Sequence, residues 1–215
     1  MKTFKFWTGK LKFRAFPLKA FCVLHFSFFA LFLAGCFDEP EPAYKTVPEG
    51  ARVYLKDRGL ADLKGLSFDA SKVDYLNLDR NALTNVDEVA SLAGLKWLRL
   101  NSNRLSALPP LGALKSLRRI YLGDNRFEEV PEALKDLPAL TDVDLSGNPL
   151  SEIPEWLAKK EGLEFLSFSR TKIAKLPDDL SSWRRLKALQ LGDLRMTPGE
   201  MARIRKSLPD VAIVF

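Results

Sequence analysis

From Val73 to Leu194 the apolar residues return in a fixed order: one, a second three positions on, a third two beyond that, then an Asn three further. The pattern LxxLxLxxN is read in "VDYLNLDRN" from Val73, "LKWLRLNSN" from Leu95, "LRRIYLGDN" from Leu117 and "LTDVDLSGN" from Leu140. Weaker copies follow as "LEFLSFSRT" from Leu163 and "LKALQLGDL" from Leu186, and successive starts lie 22, 22, 23, 23 and 23 residues apart. A second signal keeps step: Pro109, Pro131, Pro154 and Pro177 each fall 14 residues into their repeat. A period of this length marks a repeat architecture. One copy cannot bury its own Leu residues, so copies must stack and share a core. The alternation around the second and third apolar positions predicts a short strand, with Leu76 and Leu78, or Leu98 and Leu100, facing inward.

These motifs over residues 73–194 resemble the leucine-rich-repeat family, in its common bacterial form with an LPxxL half. The resemblance implies an α/β solenoid, a right-handed superhelix with a parallel concave sheet and a short helical or irregular convex side. It also implies a structural ladder of Asn81, Asn103, Asn125 and Asn148, whose amides satisfy backbone groups of their own and the next coil. Thr171 and Leu194 stand where the fifth and sixth Asn would be, so the ladder should loosen toward the C-terminus.

Both ends of such a stack need closing against water. Thr197-Pro198-Gly199-Glu200 reads as a capping box with Pro at the first helical position, and Met201, Ile204 and Leu208 follow at helical spacing. The run Val211 to Phe215 then reads as a last strand, giving a C-terminal helix-strand cap over 196–215 after repeats over 73–195. Residues 51–72 carry Val53, Leu55, Leu60, Leu63, Leu66 and Phe68 outside the repeat pattern and read as an N-terminal cap.

Residues 1–35 have a different character. Six basic residues precede an apolar run from Ala20 to Ala34, the layout of a signal peptide too short to span a bilayer comfortably. Leu33-Ala34-Gly35-Cys36 resembles the lipobox of bacterial lipoproteins. That resemblance implies cleavage before Cys36, lipid attachment to its sulfur, and a membrane-anchored, exported protein on the periplasmic or cell-surface face. Phe37 at the next position lacks the Asp that retains many such proteins at the inner membrane. Residues 36–50 then form a lipidated Cys and a Pro- and acid-rich tether, reaching roughly 20 Å if flexible and about 43 Å if fully extended.

This division changes the meaning of the charge. The chain carries a formal +6, but the first 35 residues hold six basic and no acidic residues, so 33 − 6 = 27 basic residues face 27 acidic ones beyond them. A neutral remainder gives no general attraction to phosphate backbones, and no nucleic-acid partner is expected. The sole His is His25 and the Cys residues are Cys22 and Cys36. Residues past 36 therefore lack a Cys or His nucleophile, a His base, a thiolate metal site and a disulfide. No cofactor is expected, Asp79, Asp124 and Asp193 assemble no calcium loop, and a monomer is the simplest state.

The concave strand positions are the least dictated by the fold. Two residues into each repeat stand Tyr75, Trp97, Arg119, Asp142, Phe165 and Ala188; two further stand Asn77, Arg99, Tyr121, Asp144, Ser167 and Gln190. At about 4.8 Å per strand these columns span roughly 24 Å across six strands, suited to a peptide or one face of a small protein. Tyr75, Trp97, Arg99, Arg119 and Tyr121 belong to the types most enriched at binding hot spots, and Asp142, Asp144 and Phe165 extend the candidate surface. The same rings and guanidinium stems could instead stack on one another and stabilise the sheet. Asp142 and Asp144, about 7 Å apart on one strand, have the look of a hydrolase carboxylate pair, but an open sheet offers little exclusion of water. Trp156 and Trp183, on the convex half, read as packing residues. The leading expectation is a binding module for protein or peptide and not an enzyme; the rivals are a structural envelope lipoprotein without a high-affinity ligand and a carboxylate-based hydrolase.

Overall fold

The computed structural model describes residues 52–215 apart from 67, 68 and 70. The expected signal peptide, the lipid-attachment residue Cys36, the tether and Phe68 lie outside the described residues. Eight three-residue strands form one parallel sheet in chain order. They are β1 Arg52–Tyr54, β2 Tyr75–Asn77, β3 Trp97–Arg99, β4 Arg119–Tyr121, β5 Asp142–Asp144, β6 Phe165–Ser167, β7 Ala188–Gln190 and β8 Ala212–Val214. Strictly sequential parallel order requires each chain segment to return behind the sheet before adding the next strand. That is a solenoid.

Strand register follows the apolar period. Val53, Leu76, Leu98, Ile120, Val143, Leu166, Leu189 and Ile213 are aligned rung on rung. Six of them, from Leu76 to Leu189, and the partners Leu78, Leu100, Leu122 and Leu145 are fully buried, as is Val53. Each such side chain contributes about 1.5–3 kcal/mol on leaving water, and none could do so without the coil above and below.

Residues 51–72, read from the sequence as an N-terminal cap, include the strand β1. Val53 and Leu55 occupy the inward positions of a full strand in register with β2, each 23 residues before its counterpart. This segment closes the stack and also continues its sheet. With β8, read from the sequence as a last strand, at the other end, the described residues form eight strands, about 34 Å across at the usual spacing, against roughly 24 Å for the six repeats alone.

Every coil turns away from its strand through a left-handed corner. Asp57, Arg80, Ser102, Asp124, Arg170 and Asp193 have φ of 53–61°, and Gly147 has 66°. Only Gly adopts this region freely, so the corner must be held from outside. Arg80 N donates to Asn101 O, Ser102 N to Gly123 O and Asp124 N to Ser146 O at 2.7–2.8 Å, and later coils repeat the bond.

The Asn side chains follow these corners inward. Asn103 Nδ2 donates to Leu78 O and Leu100 O at 3.0 Å, and its Oδ1 accepts from Leu83 N at 3.1 Å. Asn125 and Asn148 repeat that arrangement, and Asn81 reaches Leu55 O while accepting from Arg58 N and Leu60 N. Thr171 offers a hydroxyl to Ile173 N at 3.5 Å and no amide to the preceding coil.

On the far side of the coils, Pro131 and Pro154 hold extended backbone at the entry to a 3-10 turn, Glu132–Leu134, and a helix, α1 Glu155–Ala158. Trp183, in the turn Ser181–Arg185, is completely buried, stacks on Phe168 at 6.4 Å between centroids, and donates its indole N–H to Leu157 O at 3.0 Å. Trp156 packs partly buried against the same core.

The C-terminal helix α2 Pro198–Ser207 starts as read, with Thr197 Oγ1 accepting from Glu200 N at 3.2 Å. The return half of the capping box is replaced. Glu200 accepts instead from Leu176 N at 2.9 Å and from Arg203, whose guanidinium also donates to the Leu176 and Pro177 carbonyls. The capping acid thereby fastens the helix to the last full coil. Arg203 holds the Glu200 carboxyl below its ordinary range, and burial only partly opposes this.

Candidate functional site

Register alone decides which side chains share the exposed face of the sheet. Trp97 lies beside Arg119 and Arg99 beside Tyr121 on neighbouring β3 and β4. The four make a two-by-two chequer of ring and guanidinium. Arg119 Cζ sits 4.9 Å from the Trp97 ring centroid and Arg99 Cζ 5.4 Å from that of Tyr121. A cation over an aromatic face is attracted by the ring quadrupole, so both flexible side chains are held in place.

The rings extend toward the N-terminal edge. Trp97 and Tyr121 are 5.9 Å apart, Trp97 and Tyr75 meet edge to face at 5.0 Å, and Tyr75 meets Tyr54 at 5.2 Å. Tyr54 is the most exposed member, at 56%. It was missed by the sequence reading because residues 51–72 do not fit the repeat pattern and were read as an N-terminal cap. The available signal was Val53 and Leu55 flanking it at the strand spacing. Trp97 Nε1 is buried beneath this layer without a hydrogen-bond partner among the described residues.

Carboxylates fix the guanidinium groups from the side. Arg99 Nε donates to Asp79 Oδ2 at 2.7 Å, and Arg119 Nε lies 3.7 Å from Asp142 Oδ2. Both contacts use Nε. The two side chains remain part-exposed, at 34% for Arg99 and 47% for Arg119. Tyr121 responds to this setting: burial pushes its phenol pKa up, the Asp142 charge adds to the rise, and Arg119 and Arg99 oppose it.

Asp142 and Asp144 stand on β5, next to Arg119 and Tyr121 respectively. Asp142 Oδ2 accepts from Thr141 Oγ1 at 2.5 Å, and Asp144 Oδ1 accepts from Ser146 N at 2.9 Å. Each carboxylate is thus anchored by one oxygen. Phe165 follows beside Asp142 on β6 and is half-buried. Of the two columns read from the sequence, Asn77 and Ser167 are buried, Asn77 between Tyr54 and Arg99 and Ser167 between Asp144 and Gln190.

A second ladder escaped the sequence reading. Asp79 Oδ1 accepts from Asn101 N at 2.8 Å, Asn101 Oδ1 from Gly123 N at 2.7 Å, and Ser169 Oγ from Gly192 N at 3.1 Å. These residues share one position of the repeat, six after its start. Their side chains bridge coil to coil along one flank of the exposed face, and Asp79 does so while holding Arg99. At the corner one residue later, Arg170 reaches Asp124 at 3.0 Å across the coil that carries Gly147.

Behind the sheet, two grooves of about 560 and 500 Å³ open between coils, one along Ser106–Leu108 and Arg126–Ala133, the other along Ile153, Lys159 and Leu176–Asp179. Neither contains a residue of the exposed face. Among the described residues no three His, Cys, Asp or Glu side chains converge on a metal position.

A leucine rich repeat family model matches residues 93–150, which include β3, β4 and β5 with their returns. No curated protein matches the chain. With the sequential parallel sheet and few helices, the match makes the fold a leucine-rich-repeat solenoid. Domains of this family are commonly binding modules engaged in recognition of proteins and peptides.

Proposed function

We propose that this solenoid is a membrane-anchored recognition module that binds a protein or peptide at the bacterial envelope through the exposed face of its sheet. One observation carries the reading. Tyr54, Tyr75, Trp97 and Tyr121 form a continuous ring layer with Arg99 and Arg119 stacked on it, at strand positions whose residue type the core does not dictate. Rigid aromatic and guanidinium groups lose little freedom on binding and dominate interface energetics.

The anchoring half rests on the sequence. Acyl chains on Cys36 hold the protein to its membrane, each buried methylene contributing about 0.8 kcal/mol, and the exported module faces the periplasm or the exterior as a monomer. Its 27 basic and 27 acidic residues past position 35 favour a polypeptide over a nucleic acid.

The mutual stacking of the same rings supports a second reading, a structural envelope protein without a high-affinity ligand. Tagged full-length chain, cross-linked in its own cells, separates the two. Trp97→Ala with Tyr121→Ala should abolish a specific cross-linked species; a species unchanged by the pair moves the site elsewhere, and none in either protein favours the structural role. Mass spectrometry of the mature N-terminus tests the anchor, and an unmodified Cys36 thiol refutes it.

A further inference from the structure

The binding reading leaves the partner's chemistry open, and the charges on the sheet narrow it. Arg99 and Arg119 each engage a carboxylate through Nε, and among the described residues no hydrogen bond is assigned to their Nη groups. One strand further, Asp142 uses Oδ2 and Asp144 uses Oδ1, and the other oxygen of each has no hydrogen-bond partner among the described residues. Two oriented donors therefore stand beside two oriented acceptors. Their positions are pre-organised by stacking and by anchoring bonds, so little ordering remains for a ligand to induce.

The spacing selects the ligand's backbone. The midpoint between β3 and β4, where the arginines sit, is one and a half strand separations from β5, about 7 Å. Alternate residues of an extended chain, which point the same way, are also about 7 Å apart. An extended segment lying across the strands would place an acidic side chain over the arginines and a basic one, two residues away, over the aspartates. Another step of the same length toward β1 reaches Tyr75 on β2, and one in the opposite direction falls between β6 and β7, alongside Phe165 on β6.

We propose, on the basis of the binding reading above, that the sheet face recognises an extended partner segment of the pattern apolar-x-acid-x-base-x-apolar. Arg99 and Arg119 receive the acid, Asp142 and Asp144 receive the base, and Tyr75 and Phe165 seat the flanking apolar residues. Matching opposite charges at fixed separation confers selectivity, since a like charge at either position meets repulsion. The anion comes from an Asp or Glu side chain within the segment.

The test uses the full-length chain and fluorescently labelled heptapeptides, acetylated and amidated to remove terminal charge, in anisotropy titrations. The probe is Leu-Ser-Glu-Ser-Lys-Ser-Leu. Gln in place of Glu, or Gln in place of Lys, should each weaken binding about tenfold, the size of one oriented ion pair of roughly 1.4 kcal/mol. Arg99→Gln with Arg119→Gln should erase the preference for Glu over Gln, and Asp142→Asn with Asp144→Asn should erase the preference for Lys. Circular dichroism melts verify that the variants fold. Equal binding of the Glu and Gln peptides by the native chain would overturn the proposal, as would a preference that survives removal of both arginines. A peptide ending in a free carboxylate at the Glu position that binds more tightly than its amide would overturn the side-chain source. Absence of heptapeptide binding, in a chain whose cellular cross-link still depends on Trp97 and Tyr121, would sink this motif and leave the binding module standing.

Discussion

Replacing Asn103 with Ala removes one side chain that ties three consecutive segments together. Its Nδ2 donates to Leu78 O and Leu100 O, and its Oδ1 is the acceptor for Leu83 N. The two carbonyls keep a second donor, because Asn81 also reaches Leu78 O and Asn125 also reaches Leu100 O. The Leu83 N–H has no such substitute, and its residue is fully buried. An orphaned buried donor costs about 1–3 kcal/mol, and the lost carbonyl bonds add about 0.5–1 kcal/mol. The sum is roughly 2–4 kcal/mol. For a domain of this size each kcal/mol lowers the melting temperature by about 2–4 °C, so Asn103→Ala should melt on the order of 10 °C below the native chain. Asn103→Asp is the sharper variant. It keeps an acceptor for Leu83 N but turns a carboxylate oxygen toward carbonyls, and it should be at least as damaging. The assay is thermal unfolding by circular dichroism, with hydrogen exchange at Leu83 as the local readout. An Asn103→Ala protein melting within 2 °C of native, with Leu83 still protected, would refute the accounting.

Other outcomes follow from single contacts. Gly147→Ala should destabilise by about 1–2 kcal/mol from the left-handed corner alone, and by more because the new methyl meets the Asp124 carboxylate; denaturant titration should show only the part due to that contact recovered when Asp124→Ala is added. Trp183→Phe removes the donor to the buried Leu157 carbonyl and leaves a void, for about 2–3 kcal/mol in urea unfolding. The Glu200 carboxyl is depressed in the folded state, so its stabilisation is present in full above the ordinary value of 4.5 and is lost as pH falls through the depressed value. Melting curves from pH 6 to pH 3 should accordingly converge for native and Glu200→Gln proteins at the acid end; a constant gap would contradict the assignment.

The strands and the core were legible because one physical constraint repeats. A coil must offer three aliphatic side chains at fixed places, and Leu76, Leu98 and Ile120 are fixed by that demand before any partner is considered. The columns on the exposed face followed from the same register. What escaped lay where a residue type is not dictated. Residues 52–58 keep the inward Val53 and Leu55 but carry Arg58 where later coils place Asn, so the strongest marker was missing. Asp79, Asn101 and Ser169 hold one position with three chemistries, and only the stacked geometry reveals that each accepts from the next backbone N–H. Glu200 matched a local capping rule, but a docked loop competed for its carboxylate and won.

The unevenness of the inward amides gives this rod a direction of failure. Asn103, Asn125 and Asn148 rivet adjacent turns from the inside, whereas Thr171 and Leu194 bring no amide to the turn before them. Gradual heating should therefore fray the stack from the side of Thr171, with the stretch bearing Trp97 and Tyr121 among the last to open.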